Sequence, residues 1–258
     1  MSEKEKVQQQ FGKNASHYVT SKSHAKGFDL AKLVEIVTGY GAFSGELLDI
    51  ATGGGHVANA FAPSFQKVTA LDLTEDMLHE AEQFIRLNGH ENVVFIQGDA
   101  EKTPFPNESF EVVTCRIAAH HFPDVDRFIS EVFRVLNPGG LFVLVDTVAP
   151  EKDEYDQFYN TIEKKRDPSH FRAYKKSEWI SKIENAGLYM ENMFTFSKKF
   201  TYETWCTMMD LPAREKNELS TYMNAAPKRT HNHFSIEFSG DEVQSFKGQS
   251  ILLAAIKK

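Results

Sequence analysis

Three acidic residues lie in or just after three successive strand-like runs, at positions suited to a nucleotide-like ligand. Asp49 interrupts a short apolar run, Asp72 lies near the end of the next run, and Asp99 follows the third. Ligands of open α/β sheets bind beyond the carboxyl ends of the strands. A carboxylate there can accept hydrogen bonds from a ribose diol, and a second one suits the exocyclic amine of adenine. The acids therefore indicate an adenosine-containing ligand, with Asp49 either supporting the adjacent loop or reaching toward an amino-acid end of that ligand.

A glycine-rich turn follows the first of these runs. The segment 46–55 passes from an apolar strand through Gly53, Gly54 and Gly55 into a helix-like stretch that begins at His56. Such a turn presents backbone N–H groups to a ligand, and a Cβ there would block close approach of the ligand to the main chain. The pattern therefore predicts a cofactor-binding loop that opens a helix.

The residues alone leave more than one function open. The segment from Gly53 to Ala58 formally satisfies the dinucleotide pattern G-x-G-x-x-G/A, and Asp72 lies at a suitable distance downstream. This interpretation predicts an NAD(P)-dependent oxidoreductase, but it leaves Asp99 and a hairpin-like pair of strands at the end of the chain unexplained. A cofactor-binding protein without catalytic activity is a third alternative, because binding and catalytic residues are separable.

Two adjacent histidines follow the fourth strand-like run. His120 and His121 are candidate general bases, since a histidine has a pKa suited to accepting a proton near neutral pH. The alternative is that one caps the strand and the other lies on the surface. Arg116 could hold a substrate anion or the cofactor carboxylate, or pair with a surface acid. No metal site is expected, because adjacent side chains on an extended chain point in different directions and no third ligand is suitably spaced. Asp146, at the end of the fifth strand, could face the substrate, but a role as a strand-end cap is favoured.

The elements that position these residues alternate between strand and helix. Strand-like runs fall at 47–50, 67–73, 93–97, 111–117 and 141–145. Helical stretches separate most of them, and Thr74 and Asp124 are suited to cap two of these helices. This alternation predicts βαβ units and a parallel sheet.

The pattern loosens after Pro150. Ser177 can cap a helix, and residues 202–224 predict one or two helices interrupted at Pro212. A sixth strand is predicted at 189–200, a short one at 234–238 and a terminal one at 250–256. These features predict an antiparallel hairpin that carries a helical excursion.

Four segments together resemble the class I S-adenosylmethionine-dependent methyltransferases. Within that class the chain most resembles the ubiquinone- and menaquinone-biosynthesis C-methyltransferases and similar small-molecule enzymes, over roughly residues 11–148. The segments are Leu48-Asp49-Ile50-Ala51-Thr52-Gly53-Gly54-Gly55, Leu71-Asp72-Leu73-Thr74-Glu75-Asp76-Met77, Gly98-Asp99-Ala100-Glu101 and Asn137-Pro138-Gly139-Gly140.

The resemblance implies an α/β fold with a Rossmann-like, doubly wound, mostly parallel seven-stranded sheet. The last strand is antiparallel, and helical insertions form a lid. The implied organisation is an N-terminal helical lid over residues 1–40, a cofactor-binding core over 41–150, and a C-terminal part of the same fold over 151–258. The C-terminal part includes a substrate-lid insertion at about 200–235.

The resemblance also implies S-adenosyl-L-methionine as the cofactor. Asp72 would hold both ribose hydroxyls, Leu73 would pack on the adenine, and Asp99 with Ala100 would read the adenine edge. Ala51 stands where the family usually has glycine. The full set of implied cofactor-binding residues is Tyr18, Asp49, Ala51, Thr52, Gly53, Gly55, Asp72, Leu73, Met77, Asp99, Ala100 and Arg116.

The function expected from these features is methyl transfer to a carbon, oxygen or nitrogen atom of a small-molecule acceptor. Phe11, Tyr18 and His24 could close over the cofactor, and an apolar acceptor pocket could be lined by Phe171, Tyr174, Trp205, Met208 and Met209. The charge of −7, from 36 acidic and 29 basic residues, gives no reason to expect a nucleic-acid partner. The two cysteines lie far apart, and no apolar run approaches about 18 residues, so a cytoplasmic protein without membrane insertion is expected.

Overall fold

A single mixed β-sheet forms the centre of the molecule in the computed structural model. The model describes residues 1–20, 27–41 and 43–258, without the side chains of residues 13–20. Tyr18 and His24 therefore lie outside the described side chains. The strands are β1 (Glu46–Ile50), β2 (Lys67–Asp72), β3 (Val93–Gln97), β4 (Phe110–Arg116), β5 (Leu136–Val148), β6 (Leu188–Thr201), β7 (Glu237–Ser239) and β8 (Glu242–Lys257).

The strand order places the glycine-rich turn at a topological switch point. The order is β3-β2-β1-β4-β5-β8-β6, with β7 paired to β8. Strands β1 to β5 are parallel, whereas β8 is antiparallel to both β5 and β6. Because the chain leaves β1 in one direction to β2 and β3 and later returns to β4 on its other side, a crevice opens above the carboxyl ends of β1 and β4.

Helices cover both faces of the sheet. The helices are α1 (Glu3–Thr20), α2 (Phe28–Tyr40), α3 (His56–Phe61), α4 (Glu75–Leu87), α5 (Val125–Val135), α6 (Asp153–Arg166), α7 (Lys176–Asn185), α8 (Tyr202–Thr207), α9 (Ala213–Asn224) and α10 (Lys228–Phe234). Phe128 of α5 and Trp179 of α7 are buried on one face of the sheet. Leu33 of α2, Phe61 of α3 and Ile85 of α4 are buried on the other.

A third apolar cluster forms away from the parallel part of the sheet. It joins α6, α8, α9 and α10 to the first half of β8, with Tyr159, Trp205, Phe234 and Phe246 nearly inaccessible to solvent. Helices α8 to α10 are the helical excursion predicted between the last long strands. The cluster fixes this excursion above the carboxyl end of β5.

The resemblance predicted the α/β Rossmann-like fold and its antiparallel terminal strand correctly. The short strand predicted at 234–238 is found as β7, shifted to Glu237–Ser239, and its pairing with β8 gives the described sheet eight strands rather than the seven that the resemblance implied. Helices α6 and α10 were not anticipated from the sequence. Helix α7 begins at Lys176 rather than after Ser177, because the Glu178 side chain accepts a hydrogen bond from the Lys175 backbone N–H at 2.8 Å. Among the described helices, none is long and apolar enough to cross a membrane.

Candidate active site

A cleft at the carboxyl ends of β1, β2 and β4 gathers most of the residues implicated by the sequence. Helix α1 contributes to it from the opposite side through Lys4, Val7 and Phe11. The implicated residues that line the cleft are Asp49, Ala51, Thr52, Gly53, Asp72, Leu73, Met77, Asp99, Ala100, Arg116 and His121.

The turn after β1 depends on three left-handed backbone conformations. Ala51 has φ +53°, Gly53 has φ +55° and Gly55 has φ +76°. A non-glycine residue in this region costs about 1–2 kcal/mol, and such strain persists where the surrounding structure holds it, often at ligand sites. This explains why the position of Ala51 is usually glycine in the family. Gly55 does not line the cleft, because it faces α4, where an added Cβ would lie 2.9 Å from Ile85 Cδ1.

Asp72 links the glycine turn to the start of α4. Its Oδ2 accepts a hydrogen bond from the Gly53 N–H at 2.9 Å, and its Oδ1 accepts one from the Thr74 N–H at 2.9 Å. The carboxylate is buried, and burial raises its pKa. Each carboxylate oxygen can accept more than one hydrogen bond, so Asp72 retains capacity for hydroxyl donors in the cleft.

Asp49 is a buried acid beneath the turn. It is 1% exposed, and its two oxygens accept hydrogen bonds from the hydroxyls of Thr52 at 2.7 Å and Thr114 at 2.8 Å. Burial raises its pKa to about 6, against the hydrogen bonds and the positive charge of Arg116, which act in the opposite direction. Asp49 therefore both supports the loop and places a titratable charge in the cleft wall.

Helix α1 reaches the acids that follow β3. Lys4 Nζ lies 2.6 Å from Asp99 Oδ2 and forms a second ion pair with Glu101. The Gln8 side chain donates a hydrogen bond to the Leu73 carbonyl at 3.1 Å. Lys4 could not be identified from the sequence, because no local pattern connects it to an acid 95 residues away.

Arg116 forms a buried ion pair on the other side of the cleft. Its Nε lies 2.6 Å from Asp29 Oδ2, and its side chain is 5% exposed. Asp29 comes from the first turn of α2, so the pair fixes that helix against the end of β4. Arg116 therefore pairs with an acid, as one alternative from the sequence proposed, although Asp29 is half-buried rather than fully at the surface. The Arg116 side chain also lines the cleft.

The two histidine rings lie together. They belong to a single 3₁₀ turn (Ala119–His121), and their centroids are 4.1 Å apart. Both are buried, so neither occupies the surface position considered from the sequence. The expectation that the side chains point apart is wrong, because it assumed an extended chain. Among the described residues, no group of three His, Cys, Asp or Glu side chains is arranged to hold a metal ion.

The two histidines differ in their hydrogen-bond partners. His120 Nδ1 lies 2.6 Å from Asp146 Oδ1, whereas His121 Nδ1 lies 3.1 Å from the Ser169 carbonyl oxygen. Burial alone would lower the pKa of His120, but the charge of Asp146 and its hydrogen bond leave that pKa above its ordinary value. Burial and the neighbouring His120 lower the pKa of His121 to about 4.

A second cavity of about 300 Å³ adjoins the cleft. The two share Phe11, Ile117 and His121, so they meet beside the histidine pair. Of the predicted pocket residues, Trp205, Met208 and Met209 line this cavity. Phe171 and Tyr174 do not, because Tyr174 is buried in the core beneath α7 and Phe171 is 41% exposed. The charged lining residues that were not identified from the sequence are Glu163, Arg166, Asp167, Lys198 and Lys199.

Comparisons with known proteins agree with this arrangement. A family model described as a methyltransferase domain matches residues 48–144. The uncharacterized methyltransferase YcgJ of Bacillus subtilis (strain 168) is 37% identical over 249 residues, which cover 96% of this chain and 98% of the relative. A demethylmenaquinone methyltransferase of Lactococcus lactis is 33% identical over 144 residues, or 53% of this chain and 57% of that protein.

Two solved structures share most of this architecture. A crystal structure from Bacillus halodurans C-125, named in its description as a methyltransferase, is 51% identical with a TM-score of 0.87, over 90% of this chain and 99% of that one. The crystal structure of B. subtilis YcgJ is 36% identical with a TM-score of 0.84, over 88% of this chain and 98% of that one. This chain therefore belongs to the class I S-adenosylmethionine-dependent methyltransferase family.

Proposed function

We propose that this protein transfers the methyl group of S-adenosyl-L-methionine to a carbon, oxygen or nitrogen atom of a small-molecule acceptor. The observation that carries the proposal is the meeting of two cavities beside the histidine pair. One cavity has the acids and the glycine turn suited to an adenosine cofactor, and the other has an aromatic and methionine-rich wall.

The chemistry of the cleft fits the parts of this cofactor. Asp72 would accept hydrogen bonds from the ribose hydroxyls, and Asp99 would accept one from the adenine amine. A Cβ at Gly53 would meet Met77 Cε at 3.6 Å, so glycine leaves room there for a ligand beside the methionine side chain. The ionised form of Asp49 would favour a cationic ligand, because opposite charges attract strongly in a buried site.

Two chain segments would enclose the reactants. Helix α1 forms the first lid, in which Lys4 contacts the acids after β3 and Phe11 packs edge-on against His121 at a centroid distance of 4.9 Å. The insertion at about 200–235 forms the second lid, and the Gln10 side chain donates a hydrogen bond to the Met209 carbonyl at 3.4 Å. The two lids therefore touch each other above the histidine pair.

The cofactor supplies an electrophilic methyl group bonded to a sulfonium. The protein's contribution is to hold the acceptor in line with that methyl group, to exclude water and to receive a proton when the acceptor arrives protonated. His120 or His121 would receive the proton. Alignment alone suffices for an acceptor that is already a nucleophile.

A screen for S-adenosylhomocysteine release tests this function. Purified protein is incubated with S-adenosylmethionine and panels of small phenols, amines and carbon acids, and His120→Asn and His121→Asn are assayed beside the wild type. We expect turnover with one panel, and a loss of about 100-fold or more in at least one variant. Cofactor affinity should change by less than about threefold in both variants. Tight cofactor binding with no turnover on any panel would contradict methyl transfer.

A further inference from the structure

A role as a strand-end cap does not by itself explain the hydrogen bonds that the Asp146 carboxylate makes. It is completely buried on β5, next to the end of the strand, and it bonds to more than its own chain segment. Oδ1 accepts a hydrogen bond from the Thr147 N–H at 2.7 Å, and Oδ2 accepts one from the His120 N–H at 2.8 Å. The same Oδ1 lies 2.6 Å from His120 Nδ1. A cap would need only the backbone donors.

We infer that Asp146 is a positioning residue that makes His120, rather than His121, the proton acceptor of the second cavity. This inference rests on the proposed function, because it specifies which histidine receives the acceptor's proton. A carboxylate only accepts hydrogen bonds, so the Asp146 contact requires a proton on His120 Nδ1. The basic lone pair of neutral His120 is then on Nε2, and among the described residues no hydrogen bond involves that atom.

His121 is held differently. Its Nδ1 donates to the neutral carbonyl of Ser169, and the Ser169 hydroxyl lies 3.3 Å from the same nitrogen. The charge of Asp167 acts to raise the pKa of His121, but no carboxylate among the described residues accepts a hydrogen bond from its ring. Phe11 packs edge-on against its ring. An imidazolium at this position would lie beside the His120 ring at a centroid distance of 4.1 Å. His121 therefore serves as a neutral wall between the two cavities.

The charge balance of methyl transfer favours the same assignment. The acceptor's X–H proton moves to His120 Nε2, its electron pair forms the bond to the methyl carbon, and the pair of the broken S–C bond remains on sulfur. The positive charge thus leaves the sulfonium and appears on His120. Asp146 stabilises that charge directly, as the carboxylate of a histidine–carboxylate dyad does in other enzymes.

Other charged groups also face His120. They lie on the 3₁₀ turn, on α6 and in the segment that follows α6. The groups that act on its protonation are His121, Glu163, Asp167 and His170. The wall of the same cavity also includes Arg166 at the end of α6 and two residues of β6, Lys198 and Lys199. Asp167 is the useful comparison, because it is a buried acid near the pair and no hydrogen bond joins it to His120.

Histidine ¹⁵N NMR titration tests the inference without an identified acceptor. The full-length protein saturated with S-adenosylhomocysteine is compared as wild type, Asp146→Asn and Asp167→Asn. We expect His120 of the wild type to be the Nδ1–H tautomer and to titrate above pH 6.5. Asp146→Asn should lower that midpoint by more than about one pH unit, and Asp167→Asn should lower it by less than half as much. Asp146→Glu should restore part of the shift.

Three results would overturn the inference. They are a wild-type His120 in the Nε2–H tautomer, an unchanged midpoint in Asp146→Asn, or equal effects of the two asparagine variants. The wild-type tautomer decides the question even if Asp146→Asn fails to fold. Affinity for S-adenosylhomocysteine, measured on the same samples, tests the cofactor part of the proposed function separately.

Discussion

Replacing Asp49 by asparagine is expected to stabilise the cofactor-free protein increasingly as the pH rises. Burial raises the pKa of Asp49 from 3.8 to about 6 in the folded state. Below pH 3.8 the carboxyl is protonated in both the folded and the unfolded states, and its burial carries no charge penalty. Between pH 3.8 and 6 the folded state keeps a proton that the unfolded state has released, so the free energy of unfolding falls as the pH rises. Above pH 6 the carboxyl is ionised in both states, and the full free-energy cost of burying its charge lowers the stability of the folded state.

The magnitude follows from the difference between the two pKa values. A difference of about 2 pH units corresponds to about 3 kcal/mol, at about 1.4 kcal/mol per unit. Asparagine keeps one oxygen, which can accept from the hydroxyl of Thr52 or of Thr114, and presents an NH₂ donor to the other, but it carries no charge. The lost hydrogen bond shifts stability equally at every pH and leaves the pH dependence unchanged. All other titrating groups are common to the two proteins and cancel in the comparison.

Urea unfolding at several pH values measures this difference. The free energy of unfolding of Asp49→Asn minus that of the wild type should increase by about 2–3 kcal/mol between pH 4 and pH 7. A difference that stays constant within about 0.5 kcal/mol would refute the reasoning, because it would mean that Asp49 ionises no less readily in the folded protein than in the unfolded chain. A difference that decreases with pH would show a lowered pKa.

Three further substitutions test the turn and the cofactor site. Asp72→Ala should weaken S-adenosylmethionine binding by about 2–3 kcal/mol in calorimetric titration, because hydrogen bonds to a charged acceptor are lost; unchanged affinity would remove Asp72 from the site. Ala51→Gly should raise the free energy of unfolding by about 0.5–1 kcal/mol, since the strain relieved at a φ of +53° exceeds the stability lost because glycine gives the unfolded chain more entropy. A loss of stability would contradict the strain argument. Gly55→Ala should lower it by about 2–3 kcal/mol, because strain at φ +76° adds to a contact of 2.9 Å. Gly89→Ala is the matched control, because Gly89 has φ +82° with nothing within 4 Å of the added Cβ. This substitution should lower the free energy of unfolding by only about 1 kcal/mol. Equal losses in Gly55→Ala and Gly89→Ala would exclude the packing contribution at Gly55.

The acids of the cleft could be predicted because the local sequence pattern identifies the strands on which they lie or which they follow. Asp49 and Asp72 lie on strands, and Asp99 directly follows one; parallel strands end at one edge of a sheet, so their order along the chain predicts their proximity. The same reasoning placed the glycine turn correctly. It assigned Gly55 to the ligand, however, because a pattern of glycines does not distinguish a residue that faces a ligand from one that faces the next helix.

The histidine pair shows a second limit of sequence reasoning. The sequence predicted that the pair lies near the site, but the direction of each ring depends on a 3₁₀ turn whose residues, Ala-His-His, carry no strong helical signal. The sequence alone favours a cap for Asp146, because its contact with His120 joins β5 to a 3₁₀ turn 26 residues earlier in the chain. Lys4 was missed for the same physical reason, because its partners, Asp99 and Glu101, are determined by tertiary packing.

Calorimetric titration of the cofactor-stripped protein tests the central claim most directly. S-adenosylmethionine, S-adenosylhomocysteine, NADH and NADPH are titrated in parallel into the wild type. The account predicts micromolar affinity, about −8 kcal/mol, for the two sulfur compounds and no binding of either nicotinamide. Binding of a nicotinamide alone would contradict it and support an oxidoreductase instead.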